Sequence, residues 1–187
     1  HNMPVSAMPP GGRTVQEEAQ HWLTVSQESE GDPRLIAILE NLVKSPPRTS
    51  GDPTPVHGDP KHGNCLWQDG KLTGLLDWEM AQISEPLLDL GYIQLFHDQG
   101  EASLANAGFE LPGWWSPQRM TEEWEKRTGR TAVDVDRYVV LGQAKISAII
   151  SVGAHLCNSG RSNDPRFGAF SAVLPAYVTL LDKRAQA

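Results

Sequence analysis

Residues 64–77 set the tightest local constraint on the fold. Asn64-Cys65-Leu66-Trp67 and Leu72-Thr73-Gly74-Leu75-Leu76 are short apolar runs separated by Gln68-Asp69-Gly70-Lys71. Asp-Gly between two such runs is a strong signal for a tight two-residue turn, so the segment predicts a β-hairpin. Its polar ends matter as much as its apolar middle. Asn64 opens one strand and Asp77 closes its partner, so antiparallel pairing brings both side chains to the same end.

Around the hairpin the sequence reads as helix. Thr14-Val15-Gln16-Glu17 has the form of a capping box, and Val15, Ala19, Trp22 and Leu23 follow at helical spacing, which predicts a helix over about 14–28. Asp32-Pro33 starts a second one, with Leu35, Ile36, Leu39, Leu42 and Val43 on one face, ending before Pro46-Pro47. Residues 45–55 are rich in Pro, Gly, Ser, Thr and Asp and read as a connecting loop. After Pro86 helical spacing returns through Leu87, Leu90, Ile93 and Leu95, until a Gly- and Asn-containing stretch at 100–113. Ser116-Pro117 restarts a helix carrying Met120 and Trp124. Asp134 is expected to cap a long helix that stops near Gly160, and a last helix covers about 167–183. The expected fold is mainly α with a small β-hairpin, in one domain, without internal repeats.

The net charge of the 187 residues is -7, so no broad basic face is available for a nucleic acid or an anionic membrane. The most apolar stretch, from Val139 to Cys157, is interrupted by Gln143, Lys145 and His155, and reads as a buried core helix rather than a membrane span. No secretory signal opens the chain, which makes the cytoplasm the expected location. Cys65 and Cys157 form no CxxC pair or metal-ligand cluster, and both are expected to be buried thiols.

The chemistry gathers in His57-Gly58-Asp59-Pro60-Lys61-His62-Gly63-Asn64, followed by Asp77-Trp78-Glu79. Phosphoryl transfer needs a carboxylate to orient or deprotonate the acceptor hydroxyl and hard oxygen ligands to hold Mg²⁺ against the phosphates, and both are present. The spacing from Asp59 to Asn64 equals that between base and metal-ligating Asn in the protein-kinase catalytic loop. Lys61, two residues after Asp59, either neutralises developing charge or is a solvated lysine. Glu79 either reaches the metal through water or makes a structural salt bridge or hydrogen bond. His57 is expected to pack and hydrogen-bond rather than to move protons.

This order of motifs, with Glu85-Pro86-Leu87-Leu88-Asp89-Leu90 after it, resembles the aminoglycoside phosphotransferase and choline kinase family of protein-kinase-like small-molecule kinases, strongly over 55–95. The resemblance implies Asp59 as catalytic carboxylate, Asn64 and Asp77 as ligands of a Mg²⁺ that arrives with ATP, and Asp89 as a buried brace of the catalytic loop. It also implies a small molecule with a hydroxyl as acceptor, held by the helical part at 96–187. Residues 1–50 would be the helical segment after the interlobe linker. Such kinases carry an N-terminal lobe that grips ATP, whereas this sequence has no GxGxxG and no lysine in a V-A-I-K-like strand. His1-Asn2-Met3-Pro4 resembles the interlobe segment, so the expectation is a C-terminal lobe, inactive by itself.

Two other readings use the same residues. A kinase-like lobe without turnover would be a helical binding module. Alternatively, His57-x-Asp59-x-x-His62 could begin a hydrolase metal site, but the next histidine, His97, lies beyond a helix in the sequence. Glu122, Glu123, Asp134 and Asp136 could meet a cationic acceptor or form a solvated face, and Trp114 and Trp115 could stack on a ring or anchor a loop. Aminoglycoside, choline-like amine, sugar and lipid-like alcohol all remain open as acceptors.

Overall fold

The structure is a computed structural model that describes residues 11–97 and 113–187, together with Ser6. The start His1-Asn2-Met3-Pro4 and almost all of the 100–113 stretch lie outside the described residues. Six helices and two two-stranded sheets are described, and the helix-dominated architecture expected from the sequence is present.

Helix α1, Val15–Glu28, begins at a complete capping box: Glu17 N–H donates to the Thr14 side chain, and the Glu17 carboxylate accepts from the Thr14 N–H. Val15, Ala19, Trp22 and Leu23 are buried on one face. Helix α2, Pro33–Lys44, starts at Asp32, whose side chain accepts the Arg34 N–H, and buries Leu35, Leu39 and Leu42. The loop that follows is shorter than expected, because Thr54–Val56 forms a strand, β1. It pairs antiparallel with β4, Gln82–Ser84, in the register Pro55↔Ile83. Neither strand shows alternation over three residues, and Pro55 looks like punctuation; a two-stranded ribbon, all edge, tolerates its missing donor.

Between these strands lies the expected hairpin, β2 (Cys65–Gln68) and β3 (Lys71–Leu75), with Gln68 opposite Lys71 and an irregularity between Leu66 and Trp67. Asp69 and Gly70 both take positive φ, 51° and 72°, as a mirror-image type I turn demands. A 3-10 turn, His62–Asn64, leads into the hairpin.

Helix α3, Leu87–Gln94, packs closely on α5, Val135–Asn158. The approach is only possible because position 91 is glycine: a Cβ there would stand 2.5 Å from the Tyr138 carbonyl carbon. Helix α4, Pro117–Thr128, runs from a Ser116 cap to Gly129, which takes the left-handed conformation. Helix α6, Pro165–Ala185, is two residues longer at each end than expected, with Asp164 as its cap, and lies along α5. The core joins Leu35 and Leu39 to Leu87, Tyr138, Leu141, Ala144, Val178 and Leu181.

Two expectations need correction. Asp134 precedes α5 in a left-handed conformation but does not cap it with its side chain. The carboxylate instead pairs with Arg48 at 2.6 Å and accepts the Arg48 N–H, pinning the loop after α2. Helix α5 ends at Asn158, near Gly160 as expected. Cys65 and Cys157 are free but only half-buried, because one starts the exposed hairpin and the other sits in the last turn of α5. Helix α5 is long and apolar enough to cross a bilayer, yet 72% of that stretch is buried inside this fold, which makes it the central core helix.

Candidate active site

His57-Gly58-Asp59 leaves β1 as a loop held by α3 and α5. Asp89, in the first turn of α3, accepts the N–H of His57 at 2.7 Å and of Gly58 at 2.8 Å. Burial pushes its pKa up, against the pull of these two bonds and of Lys145. Lys145, buried in α5, donates to the Gly58 carbonyl oxygen at 2.5 Å. Its ammonium lies 5.4 Å from the rings of Trp22 and Tyr92, and burial holds its pKa below the ordinary lysine value. Gly58 itself has φ 83°, and a Cβ there would meet the Met80 carbonyl oxygen at 2.5 Å.

His57 is a loop tie, with a defined tautomer. Its Nε2–H donates to the Leu76 carbonyl at 2.8 Å, and Nδ1 accepts the Asp59 N–H at 3.2 Å. The ring also packs on Trp78 at 4.7 Å.

Asp59 is 8% exposed. Its Oδ2 accepts from Lys61 Nζ at 2.6 Å and from Asn64 Nδ2 at 3.0 Å. Burial works to raise its pKa, but Lys61, the Tyr92 hydroxyl and Asn64 outweigh burial and hold it below the ordinary aspartate value. The other oxygen, Oδ1, is buried with no hydrogen bond of normal geometry. Asn64 is oriented by its amide group, which donates to the Asp59 carbonyl at 2.9 Å as well as to Oδ2, so its carboxamide oxygen is the atom left for a cation.

The far end of the hairpin closes on the same place. Leu76 N–H donates to the Asn64 carbonyl at 2.8 Å, which puts Asp77 one residue beyond Asn64's backbone partner. Asp77 is exposed and left-handed, at φ 66° and ψ 59°, a conformation uncommon for a non-glycine residue and concentrated at functional sites. One carboxamide oxygen and one carboxylate at the same end are hard donors, which suit Mg²⁺ better than a softer metal.

The family model described as "Phosphotransferase enzyme family" matches residues 2–125. The chain belongs to that phosphotransferase family. Its fold superimposes on a solved "putative aminoglycoside phosphotransferase" from Ralstonia eutropha JMP134 with a TM-score of 0.82 and 19% identity, over 97% of this chain and 58% of that one. Among curated proteins, it is similar to acyl-CoA dehydrogenase family member 11 of Pongo abelii, at 29% identity over 87 residues, 41% of this chain and 11% of that protein. The chain thus spans less than two-thirds of the length of either relative.

Within this phosphotransferase lobe, Lys61 is an ion-pair partner of Asp59 rather than a solvated lysine. Glu79 is exposed and makes neither the salt bridge nor the hydrogen bond expected of it among the described residues. It sits on an outward 3-10 turn, Trp78–Met80, closed by backbone alone. The hydrolase constellation is not assembled, since His57 is committed to backbone groups and no group of three or more His, Cys, Asp or Glu gathers among the described residues.

Lys145 and Tyr92 are site residues that sequence reasoning missed. The signal for Lys145 was a cation interrupting an apolar helix, where a buried charge demands a partner. Behind the catalytic loop is a cavity of about 580 Å³, which reaches His57 and Pro60 and is walled by Trp78, Trp115, Met120 and Trp124. Glu123 also borders it but is paired with Arg127 at 3.2 Å. Glu122 and Asp136 are exposed.

Proposed function

We propose that the full protein is a cytoplasmic, ATP-dependent small-molecule kinase that transfers the γ-phosphate to an acceptor hydroxyl. The observation that carries this reading is Asp59: a carboxylate kept ionised by Lys61, the Tyr92 hydroxyl and Asn64, at the head of the loop that leads into the Asn64–Asp77 hairpin. In this reading Asp59 orients the hydroxyl and takes its proton as the oxygen attacks phosphorus. Lys61, whose side chain is 40% exposed, turns its ammonium from Asp59 toward the transferred phosphoryl group. Asn64 and Asp77 hold the Mg²⁺ that, bound with ATP, neutralises charge on the phosphates, and Glu79 stands close enough in sequence to act through water. ATP is gripped by a further lobe, so this 187-residue chain alone shows no turnover. The acceptor site in this reading is the cavity beside His57 and Pro60, walled by Trp78, Trp115 and Trp124 and bordered by Glu123 and Arg127.

The test is Asp59→Asn in the full-length protein, assayed with ATP, Mg²⁺ and a panel of hydroxylated amines, sugars and long-chain alcohols. Asparagine keeps the shape and loses the base, so turnover should fall about 100- to 10,000-fold with nucleotide affinity unchanged. Retention of more than about a tenth of the wild-type rate would rule Asp59 out as the catalytic carboxylate. A wild-type protein that binds nucleotide but turns over no acceptor would instead be a kinase-like binding module.

A further inference from the structure

His62 lies in the same loop, between Asp59 and Asn64, with its ring against His97 and Trp114. The histidine that seemed remote in sequence, His97, is returned to it by α3 and the turn that follows. The two Nε2 atoms stand 3.0 Å apart, with ring centroids at 5.1 Å. Trp114 covers both rings, at 5.2 Å from His62 and 4.6 Å from His97.

The donors and acceptors in this cluster do not balance. Trp114 Nε1–H can only donate, and it points at His62 Nε2 at 3.1 Å, so that nitrogen presents a lone pair. The Trp115 carbonyl can only accept, and it faces His97 Nδ1 at 3.1 Å, which fixes the hydrogen there. His97 Nε2 therefore also presents a lone pair, aimed at that of His62. A cation placed between two converging lone pairs resolves the conflict.

His97 has the arrangement of a metal-binding histidine, with Nδ1 donating to a backbone carbonyl and Nε2 free to ligate, whereas the His62 Nε2 lone pair is contested by the Trp114 N–H. Two nitrogens 3.0 Å apart, each about 2.0–2.1 Å from a metal, subtend about 94°. This is the angle between adjacent positions of a tetragonal site, and a few tenths of an ångström of opening would make it tetrahedral. His97 is 7% exposed while His62 is exposed, so one side is anchored and the other admits the ion and its waters.

We propose that His62 and His97 form a two-imidazole site for a divalent transition metal of the Zn²⁺ or Ni²⁺ kind, which ties the catalytic loop to the end of α3. This site is separate from the hard-oxygen pair Asn64 and Asp77, and it does not depend on kinase activity. Two protein donors make it a reversible site, suited to locking the loop when the metal is present rather than to holding a resident cofactor.

The test titrates metal-stripped protein with Zn²⁺ by calorimetry. One site is expected, weakened about tenfold or more in His62→Gln and in His97→Ala, but kept in Asp77→Ala and in His1→Ala, which remove donors outside the pair. Trp114→Phe deletes the N–H that competes for the His62 lone pair, so it should bind Zn²⁺ at least as tightly as wild type. Ni²⁺ should quench the Trp114 contribution to fluorescence in wild type and not in His62→Gln. Should His97→Ala fail to fold, His62→Gln, altered on the exposed side, carries the test. Equal Zn²⁺ binding by wild type and His62→Gln, or no binding by wild type, would overturn the proposal and leave a shared proton between the rings.

Discussion

Asp89→Ala probes the brace beneath the catalytic loop. Asp89 is buried, and its two oxygens take the N–H groups of His57 and Gly58 at 2.7 and 2.8 Å. Alanine leaves two buried donors without an acceptor, at about 1–3 kcal/mol each, or about 2–6 kcal/mol together. Part of this is returned, because the variant no longer buries a carboxylate whose pKa burial has pushed up. The expected net loss is therefore about 2–4 kcal/mol. Asp89→Asn keeps one acceptor and turns an NH₂ toward the second backbone donor, so it should lose about half as much. Urea unfolding should show a lowered midpoint with an unchanged m-value. Hydrogen exchange should show lost protection at the His57 and Gly58 amides before any at α6. A stability within about 0.5 kcal/mol of wild type, or unchanged protection at those two amides, would refute the brace.

Two further outcomes follow from the packing around that loop. Gly91→Ala places a methyl group 2.5 Å from Tyr138 backbone, so α3 and α5 must separate, at about 1–3 kcal/mol or more; a thermal unfolding midpoint equal to wild type would mean that this contact is loose. Lys145→Met tests the buried ammonium through pH. The folded-state pKa of Lys145 is depressed, so between that value and the ordinary ~10.4 the unfolded chain holds more protons and wild-type stability gains with rising pH. The stability difference between wild type and Lys145→Met should therefore move in favour of wild type as pH rises through that window, and a difference that stays flat would sink the assignment.

The sequence made legible what is encoded within a few residues. The Thr14–Glu17 capping box, the Asp32-Pro33 and Ser116-Pro117 helix starts and the Asp69-Gly70 turn all set their elements locally, and each is in place. What sequence reasoning missed depends on partners far along the chain. The β1–β4 ribbon pairs residues such as Pro55 and Ile83 over strands too short to show a period. Asp134 has the residue type of a cap, but Arg48, 86 residues away, takes its carboxylate. The His62–His97 pair spans 35 residues and depends on the exit of α3.

The candidate site divides along the same line, for a physical reason. Asp59, Lys61, Asn64 and Asp77 lie on one loop and one hairpin, so a common place for them was legible from spacing alone, and Lys61 and Asn64 do bond Asp59. The groups that hold Asp59 still are not local: Asp89 and Tyr92 come from α3, and Lys145 reaches across 87 residues from α5. In the role proposed for it, Asp59 gains from being fixed before substrate arrives, because reorganising a buried charge during reaction adds to the barrier. A loop cannot supply that rigidity from its own backbone, and here it is built into the core. Asp89 fixes the two N–H groups before Asp59, Lys145 fixes the Gly58 carbonyl that follows them, and His57 ties the loop to the end of the hairpin that carries Asp77. Three core helices thereby share the catalytic loop with the fold: α3 and α5 by hydrogen bonds, and α1 through Trp22 against the Lys145 ammonium. A substitution that loosens the core at Gly91 or Lys145 should therefore disturb the geometry of Asp59 without touching it.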